Sequence, residues 1–248
     1  MLQRIIHGNV LELRLDRPPA NALNEALFAA LHAALVQAPG EGFGAIVISG
    51  RPGLFSGGLD VPELMGLDRD GLRRVWERFF DLLKALAAAP ILSVAALTGH
   101  SPAGGAVLSL FCDYRVMAAG SYRIGLNETQ VGLFVPEHIQ YALRRLVGPH
   151  KAERMMVAGT MVESAEAFRI GLVDELAAPE AVIEQAIAWC KQHLSLPPLA
   201  LQRTRTLARA DLVRATTAPV DMESMLEGWF GSETQTVLAQ LVAKLKKH

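Results

Sequence analysis

Glu128 stands in Ile124-Gly125-Leu126-Asn127-Glu128-Thr129-Gln130, directly after an apolar, strand-like run. A lone carboxylate at the inner end of such a run is partly shielded from water. Shielding raises its basicity and suits it to removing a carbon-bound proton. About one short helix upstream lies Ser101-Pro102-Ala103-Gly104-Gly105-Ala106, a small-residue turn between a strand and an apolar helix. With no side chain in the way, Gly104 can present its backbone N–H at the mouth of that helix. Phe55-Ser56-Gly57-Gly58-Leu59-Asp60 repeats the design: a Gly pair after a buried strand, with a helix start behind it. That turn can aim the N–H of Leu59 into a cleft, backed by the helix dipole. Two such donors would stabilise negative charge on a thioester or ester oxygen. Loss of one typically costs on the order of 3 kcal/mol in the transition state.

Each of these features also has a plain structural reading. Gly-rich turns are ordinary strand-to-helix connections, and a Glu at a helix start serves the dipole. Among the other acids, Asp113 is expected to pair with a nearby Arg or to cap backbone. Glu137 and His138 follow Pro136 and open a helix that can point at the cleft, and Glu63 is expected to be solvated. Cys112 and Cys190 form neither a CxxC nor a ligand spacing and read as two reduced, buried thiols. The seven histidines include no HxxxH pair, so no metal site is expected.

The elements that must position these residues follow from periodicity. Val10 to Leu15 alternates as a half-buried strand does. Arg17-Pro18-Pro19-Ala20-Asn21-Ala22-Leu23 is a rigid turn, and Asn24 caps a helix over Glu25 to Gln37. Ala45 to Ser49 and Leu92 to Leu97 are continuous apolar runs, typical of buried parallel strands. Between them lie the loop Gly50 to Gly58, a short helix over Asp60 to Met65, and a longer helix over Asp68 to Ala89. The longer one carries Val75, Phe79, Leu82 and Leu83 on one face. A helix is predicted over Ala106 to Phe111, strands over Tyr114 to Ala118 and Tyr122 to Ile124, and helices over His138 to Leu146, Lys151 to Val157 and Ala165 to Phe168. Leu172 to Glu175 reads as a strand. After Pro179 the chain is helical in character, including Leu199 to Arg209 and Ser232 to Lys247. Three apolar strands end at glycine, at Gly50, Gly99 and Gly120, which suggests a weakly repeated strand–turn–helix unit. The class is α/β, and Pro197-Pro198 divides residues 1–196 from a helical region, 197–248.

With 248 residues, 51% of them hydrophobic, the chain can bury a sizeable core. A formal net charge of −1 argues against a nucleic-acid surface. Lys244, Lys246 and Lys247 form a local basic cluster that suits a solvated helix end. Neither a signal peptide nor an apolar run of membrane-spanning length is visible, so the default expectation is a soluble cytoplasmic protein that binds no membrane.

As an ordered set, Arg17 to Leu23, Phe55 to Asp60, Pro102 to Gly105, Cys112-Asp113-Tyr114-Arg115, and Ala165-Phe168 with Gly171-Leu172-Val173-Asp174 resemble the crotonase superfamily, the enoyl-CoA hydratase/isomerase family. Within it, Ser101 to Gly105 followed by Cys112 to Arg115, and above all Ile124 to Gly132, are most similar to the mitochondrial-type Δ3,Δ2-enoyl-CoA isomerases. The resemblance implies a spiral of ββα turns with a helical C-terminal trimerisation region, a homotrimer or dimer of trimers. It also implies an acyl-CoA thioester substrate and no separate cofactor, since coenzyme A is part of the substrate. The family's oxyanion donors fall on Leu59 and Gly104, and its carboxylate on Glu128. Arg17, Gly57, Gly58, Asp60, Val61, Gly105, Val107 and Asn127 fall on substrate-binding positions. The adenine is expected near Arg17 and Pro18, and Lys244, Lys246 or Lys247 suit CoA phosphates by charge. Hydratases of the family use a second glutamate, three residues after the second oxyanion glycine. Here that position is Val107, which cannot move a proton. Adding water needs a group to position and deprotonate it and a second to protonate carbon, whereas moving a double bond needs one base acting twice. The expected reaction is therefore conversion of 3-enoyl-CoA to 2-trans-enoyl-CoA. A hydratase or other crotonase reaction using Glu128, with Glu137 as second acid, and a non-catalytic acyl-CoA-binding protein of the same fold remain the alternatives.

Overall fold

The computed structural model describes residues 1–245, so Lys246 and Lys247 lie outside the described residues. The chain runs β1 (Leu2–His7), β2 (Val10–Leu15), α1 (Glu25–Gln37), β3 (Ala45–Ser49), β4 (Gly53–Leu54), α2 (Val61–Leu64), α3 (Arg69–Ala88), β5 (Leu92–Leu97), β6 (Gly99–Pro102) and α4 (Gly104–Leu110). It continues through β7 (Tyr114–Ala118), β8 (Arg123–Gly125), a 3-10 turn (Glu128–Val131), α5 (Glu137–Val147), α6 (Pro149–Ala158), β9 (Met161–Glu163), α7 (Ser164–Arg169), β10 (Glu175–Ala177) and α8 (Val182–Leu194). Four helices close the described chain: α9 (Pro198–Ala208), α10 (Ala210–Thr217), α11 (Met222–Phe230) and α12 (Ser232–Leu245).

Two sheets form. The larger has the order β1-β2-β3-β5-β7-β10 and is parallel except for the β1/β2 hairpin; the smaller has the order β4-β6-β8-β9, with β9 antiparallel. The register pairs Ala45 with Leu92 and Val94 with Tyr114 in the larger sheet, and Gly53 with Gly99 and Ser101 with Ile124 in the smaller. Consecutive strands thus alternate between sheets: β3 then β4, β5 then β6, β7 then β8, each pair followed by a helical turn. This is the expected ββα spiral. Every residue of β3 and β5 is buried, because helices cover both faces of the sheet. The pleat divides them: Ala45, Val47, Val94 and Ala96 pack with Val182, Ala186 and Cys190 of α8, while Ile46, Ile48, Ala95 and Leu97 join the main core with α1 and α3.

The α1 N-terminus is capped as expected, with Asn24 Oδ1 accepting from Leu27 N at 3.0 Å. Other expectations need correction. Leu172 to Glu175 is not a strand: Leu172 N–H folds back onto the Ala167 carbonyl at the end of α7, and the strand begins at Glu175. The helix expected at Ala106 begins at Gly104. β1, β4, β6 and β9 are strands that the apolar pattern did not announce.

Asp113 is a structural hub. It accepts from Ser93 N at 2.8 Å, from Arg205 Nη2 at 2.8 Å and from Arg209 Nη1 at 2.9 Å. Arg209 also donates to the carbonyls of Leu86 and Phe111, and so caps the ends of α3 and α4. The nearby Arg115 pairs instead with Asp174 at 2.7 Å. Cys112 and Cys190 are buried and unpaired, and burial pushes both thiols up to about 12.

Candidate active site

The first glycine turn is held rigidly. Ser56 Oγ donates to the Asn21 carbonyl at 2.8 Å and accepts from Gly58 N at 3.1 Å. Gly58 takes φ +88°, a left-handed conformation that favours glycine. Its carbonyl accepts from Leu23 N at 2.7 Å, and Asp60 N donates to the Leu23 carbonyl at 2.9 Å. Backbone bonds on both sides fix the Leu59 peptide, while its own N–H has no protein acceptor among the described residues. Asp60 caps α2 through Glu63 N at 3.0 Å and pairs with Arg17 at 2.5 Å. Glu63 is not merely solvated: it pairs with Arg17 at 2.9 Å and accepts from Asn24.

The second turn lies against the first. Ala103 N donates to the Gly125 carbonyl at 2.9 Å, and Val107 N to the Ala103 carbonyl at 2.9 Å. Ala103 has φ 45° and ψ −119°, a strained combination for a residue with a Cβ, and strain of this kind gathers at functional sites. Gly104 N–H, the first of α4, likewise has no protein acceptor among the described residues. A Cβ added to Gly104 would lie 3.1 Å from Leu23 Cδ1 and 3.6 Å from Leu59 N, so the two unpaired N–H groups belong to adjoining backbones.

Glu128 opens the 3-10 turn that follows β8. Leu133 N–H closes the turn on the Glu128 carbonyl at 3.0 Å, Thr129 Oγ1 donates to the Met156 carbonyl at 3.2 Å, and Thr234 Oγ1 of α12 donates to the Gly132 carbonyl at 2.6 Å. The Oε2 atom is shielded from solvent and lacks a hydrogen-bond partner among the described residues. Burial pushes the carboxyl up to about 7; a backbone hydrogen bond of its own residue offsets only part of that.

These three elements meet at one narrow cavity of about 40 Å³, lined by Leu59, Gly104, Val107 and Glu128 together with Trp76, Phe79, Phe80, Leu133, Phe134, Pro136, Ile139 and Met225. Glu128 is the one ionisable residue in that lining. The other expected substrate-binding residues do not line it. Gly57 and Gly58 form the turn beneath Leu59, and Asp60 and Val61 start α2. Arg17 braces that start through its ion pairs. Gly105 packs behind the cavity, where an added Cβ would lie 3.0 Å from Ser101 Oγ and 3.1 Å from Ser56 Cβ. Asn127 precedes the 3-10 turn, with a shielded Oδ1 that has no partner among the described residues. Glu137 lines two neighbouring cavities, on the far side of Pro136. Among the described residues no group of three His, Cys, Asp or Glu is placed to hold a metal.

The apolar wall was missed in the sequence. Trp76, Phe79 and Phe80 recur at helical spacing on α3, so the signal was present, but it is also the signal of ordinary core packing.

An apolar cavity with a base poised near neutral pH, beside two unpaired backbone donors, can accept a proton from carbon next to a carbonyl. Comparison with known proteins places the chain in a family. A family model described as enoyl-CoA hydratase/isomerase matches residues 6–246. The human enoyl-CoA delta isomerase 1, mitochondrial, is 33% identical over 205 residues, covering 82% of this chain and 68% of that protein. A probable enoyl-CoA hydratase, EchA17 of Mycobacterium bovis, is also 33% identical, over 193 residues, covering 76% and 72%. The crystal structure of human mitochondrial delta3-delta2-enoyl-CoA isomerase superimposes with a TM-score of 0.91 at 28% identity, covering 99% of this chain and 98% of that one. With the site assembled on that frame, the chain belongs to the enoyl-CoA hydratase/isomerase family.

Proposed function

We propose that this enzyme moves the double bond of 3-enoyl-CoA thioesters to give 2-trans-enoyl-CoA, with Glu128 as its only base. The observation that carries the reading is the cavity lining: one ionisable side chain among apolar neighbours. Glu128 takes a proton from C2. The charge spreads over the dienolate to the thioester oxygen, where the N–H groups of Leu59 and Gly104 hold it. Glu128 then returns the proton to C4, and the double bond settles between C2 and C3. Val107, 1% exposed, walls the site with hydrocarbon where hydration would need a second proton-moving group. No separate cofactor enters this scheme. The turn at Arg17 and Pro18 is assigned to the adenine side of CoA on family likeness alone. A homotrimer is assigned on family likeness alone; α9, which buries none of its residues within the protomer and exposes Leu199 and Leu207 at 63% and 77%, offers an apolar face for a contact between copies.

The test sets trans-3-hexenoyl-CoA beside trans-2-hexenoyl-CoA. We expect turnover of the first and no hydration of the second; hydration as the faster reaction would overturn the reading. Because the base must be ionised, kcat/KM should rise as pH increases through about 7 and level off above it. A profile flat from pH 5 to 9 would remove Glu128 from the proton transfer.

Gly104→Ala tests the donors. Its methyl would press on Leu23 and approach Leu59 N, displacing the oxygen from both N–H groups. We expect kcat to fall by about 10²- to 10³-fold, the typical effect of losing an oxyanion donor, with a smaller change in KM. A loss confined to KM would show that these N–H groups bind ground state and transition state alike.

A further inference from the structure

We infer that the Phe134 ring is the movable wall that sets the length of acyl chain this enzyme accepts, an inference resting on the acyl-CoA reading above. The Glu128 cavity, at about 40 Å³, is the smaller of two neighbouring spaces. Beyond one wall lies a second cavity of about 270 Å³. Phe134, Pro136 and Met225 line both, and so form the partition between them.

The three are not equally able to move. Met225 is 8% exposed and packed in the core, and Pro136 is a fixed ring at the start of α5. Phe134 is 48% exposed, the one exposed residue in the Glu128 cavity's lining. Its ring has an ordinary van der Waals seat on α11, where a Cβ added to Gly228 would lie 3.7 Å from Cε1 and 3.8 Å from Cδ1. The opposite walls, Trp76 and Phe79, are 4% and 3% exposed, and shifting them would open a void in the core. The backbone beside Phe134 is pinned independently of its ring, by Leu133 N–H on the Glu128 carbonyl and Thr234 Oγ1 on the Gly132 carbonyl. Shortening Phe134 therefore joins the two cavities without releasing the turn that carries Glu128.

The test is Phe134→Ala, with Phe134→Leu as the intermediate step. Binding of hexanoyl-CoA and dodecanoyl-CoA, saturated thioesters that cannot isomerise, is measured by calorimetry. In parallel, kcat/KM is measured for trans-3-hexenoyl-CoA and trans-3-dodecenoyl-CoA. Since each further buried methylene adds to affinity, we expect the dodecanoyl-to-hexanoyl affinity ratio to rise roughly tenfold or more in Phe134→Ala, with Phe134→Leu between. The binding ratio decides the wall: if it is unchanged within about twofold, or if neither thioester binds, the inference is overturned. The turnover arm decides the reading beneath it. A shifted binding ratio with no isomerisation by the unmodified enzyme would keep Phe134 as the wall and discard the isomerase.

Discussion

Replacing Glu128 with glutamine should abolish isomerisation while making the protein more stable. A positioned general base contributes typically about 10²- to 10⁴-fold, and here one carboxylate serves both the removal and the return of the proton. We expect kcat to fall by on the order of 10³- to 10⁴-fold with KM little changed, followed by the ultraviolet absorbance of the conjugated 2-enoyl thioester. Stability should move the other way. Burial raises the folded-state pKa from 4.5 to about 7, so between those values the native state holds a proton that the unfolded chain has released. Stability therefore falls as pH rises through this window, and the penalty is complete above it. At about 1.4 kcal/mol per pKa unit the full penalty is about 3 kcal/mol. Glutamine never ionises. It should recover about two-thirds of this, roughly 2 kcal/mol or about 5 °C in Tm at pH 8, the rest being kept by a buried amide lacking partners. Near pH 4 the gain should vanish, because Glu128 is then neutral in both states. A variant with unchanged Tm at pH 8 would mean the carboxylate is better solvated than its surroundings indicate; retained activity would end its role as the base.

The second large effect is on folding. Asp113→Asn keeps the shape of the side chain but removes the charge facing Arg205 and Arg209. Both guanidinium groups are largely buried, and burial already lowers the Arg209 pKa against the pull of Asp113. Breaking a buried ion pair from one side costs about 3–5 kcal/mol, because the remaining charge stays desolvated and unpaired. We expect a loss of that size in urea unfolding, with earlier protection loss in α9 and α10 by hydrogen exchange. Those helices reach the core through the hub, and α10 packs on α3, whose aromatic residues wall the cavity. An asparagine variant within 1 kcal/mol of the parent would show that the arginines find other acceptors, the Leu86 and Phe111 carbonyls among them.

Much of the frame was legible in the sequence because long buried strands write themselves as apolar runs. Ala45 to Ser49, Leu92 to Leu97 and Tyr114 to Ala118 keep their expected bounds. The partner strands did not, since Gly53–Leu54 spans two residues and Gly99–Pro102 four, too few for a period to register. β1 was silent for another reason: it is an edge strand without a fully buried residue, so nothing selects an alternating pattern. At the site, the glycine turns and Glu128 carried recognisable local patterns. What surrounds them did not. The turn that shields Glu128 is held by Thr234, brought in from α12 more than a hundred residues away, and no local spacing encodes that contact. The cavity wall escaped because Trp76, Phe79 and Phe80 obey the same helical period whether they face a void or a neighbour. Arg17 falls on a substrate-binding position by resemblance alone, and only the fold shows its guanidinium engaged by Asp60 and Glu63.

Leu59, Gly104 and Glu128 each follow the end of one strand of the smaller sheet, β4, β6 and β8, which are neighbours in that order. Forty-five residues separate the first two and twenty-four the last two, yet the strands they follow are immediate neighbours, about 4.8 Å apart. Distance along the chain and distance across the site are thereby uncoupled. Flexible insertions in the loops flanking α2 and α3 can lengthen that excursion while the hydrogen-bonded ladder keeps its pitch, since doubling a flexible connection costs only about 0.6 kcal/mol in closure entropy. Such a scaffold can acquire new binding walls by insertion without recalibrating its reacting groups.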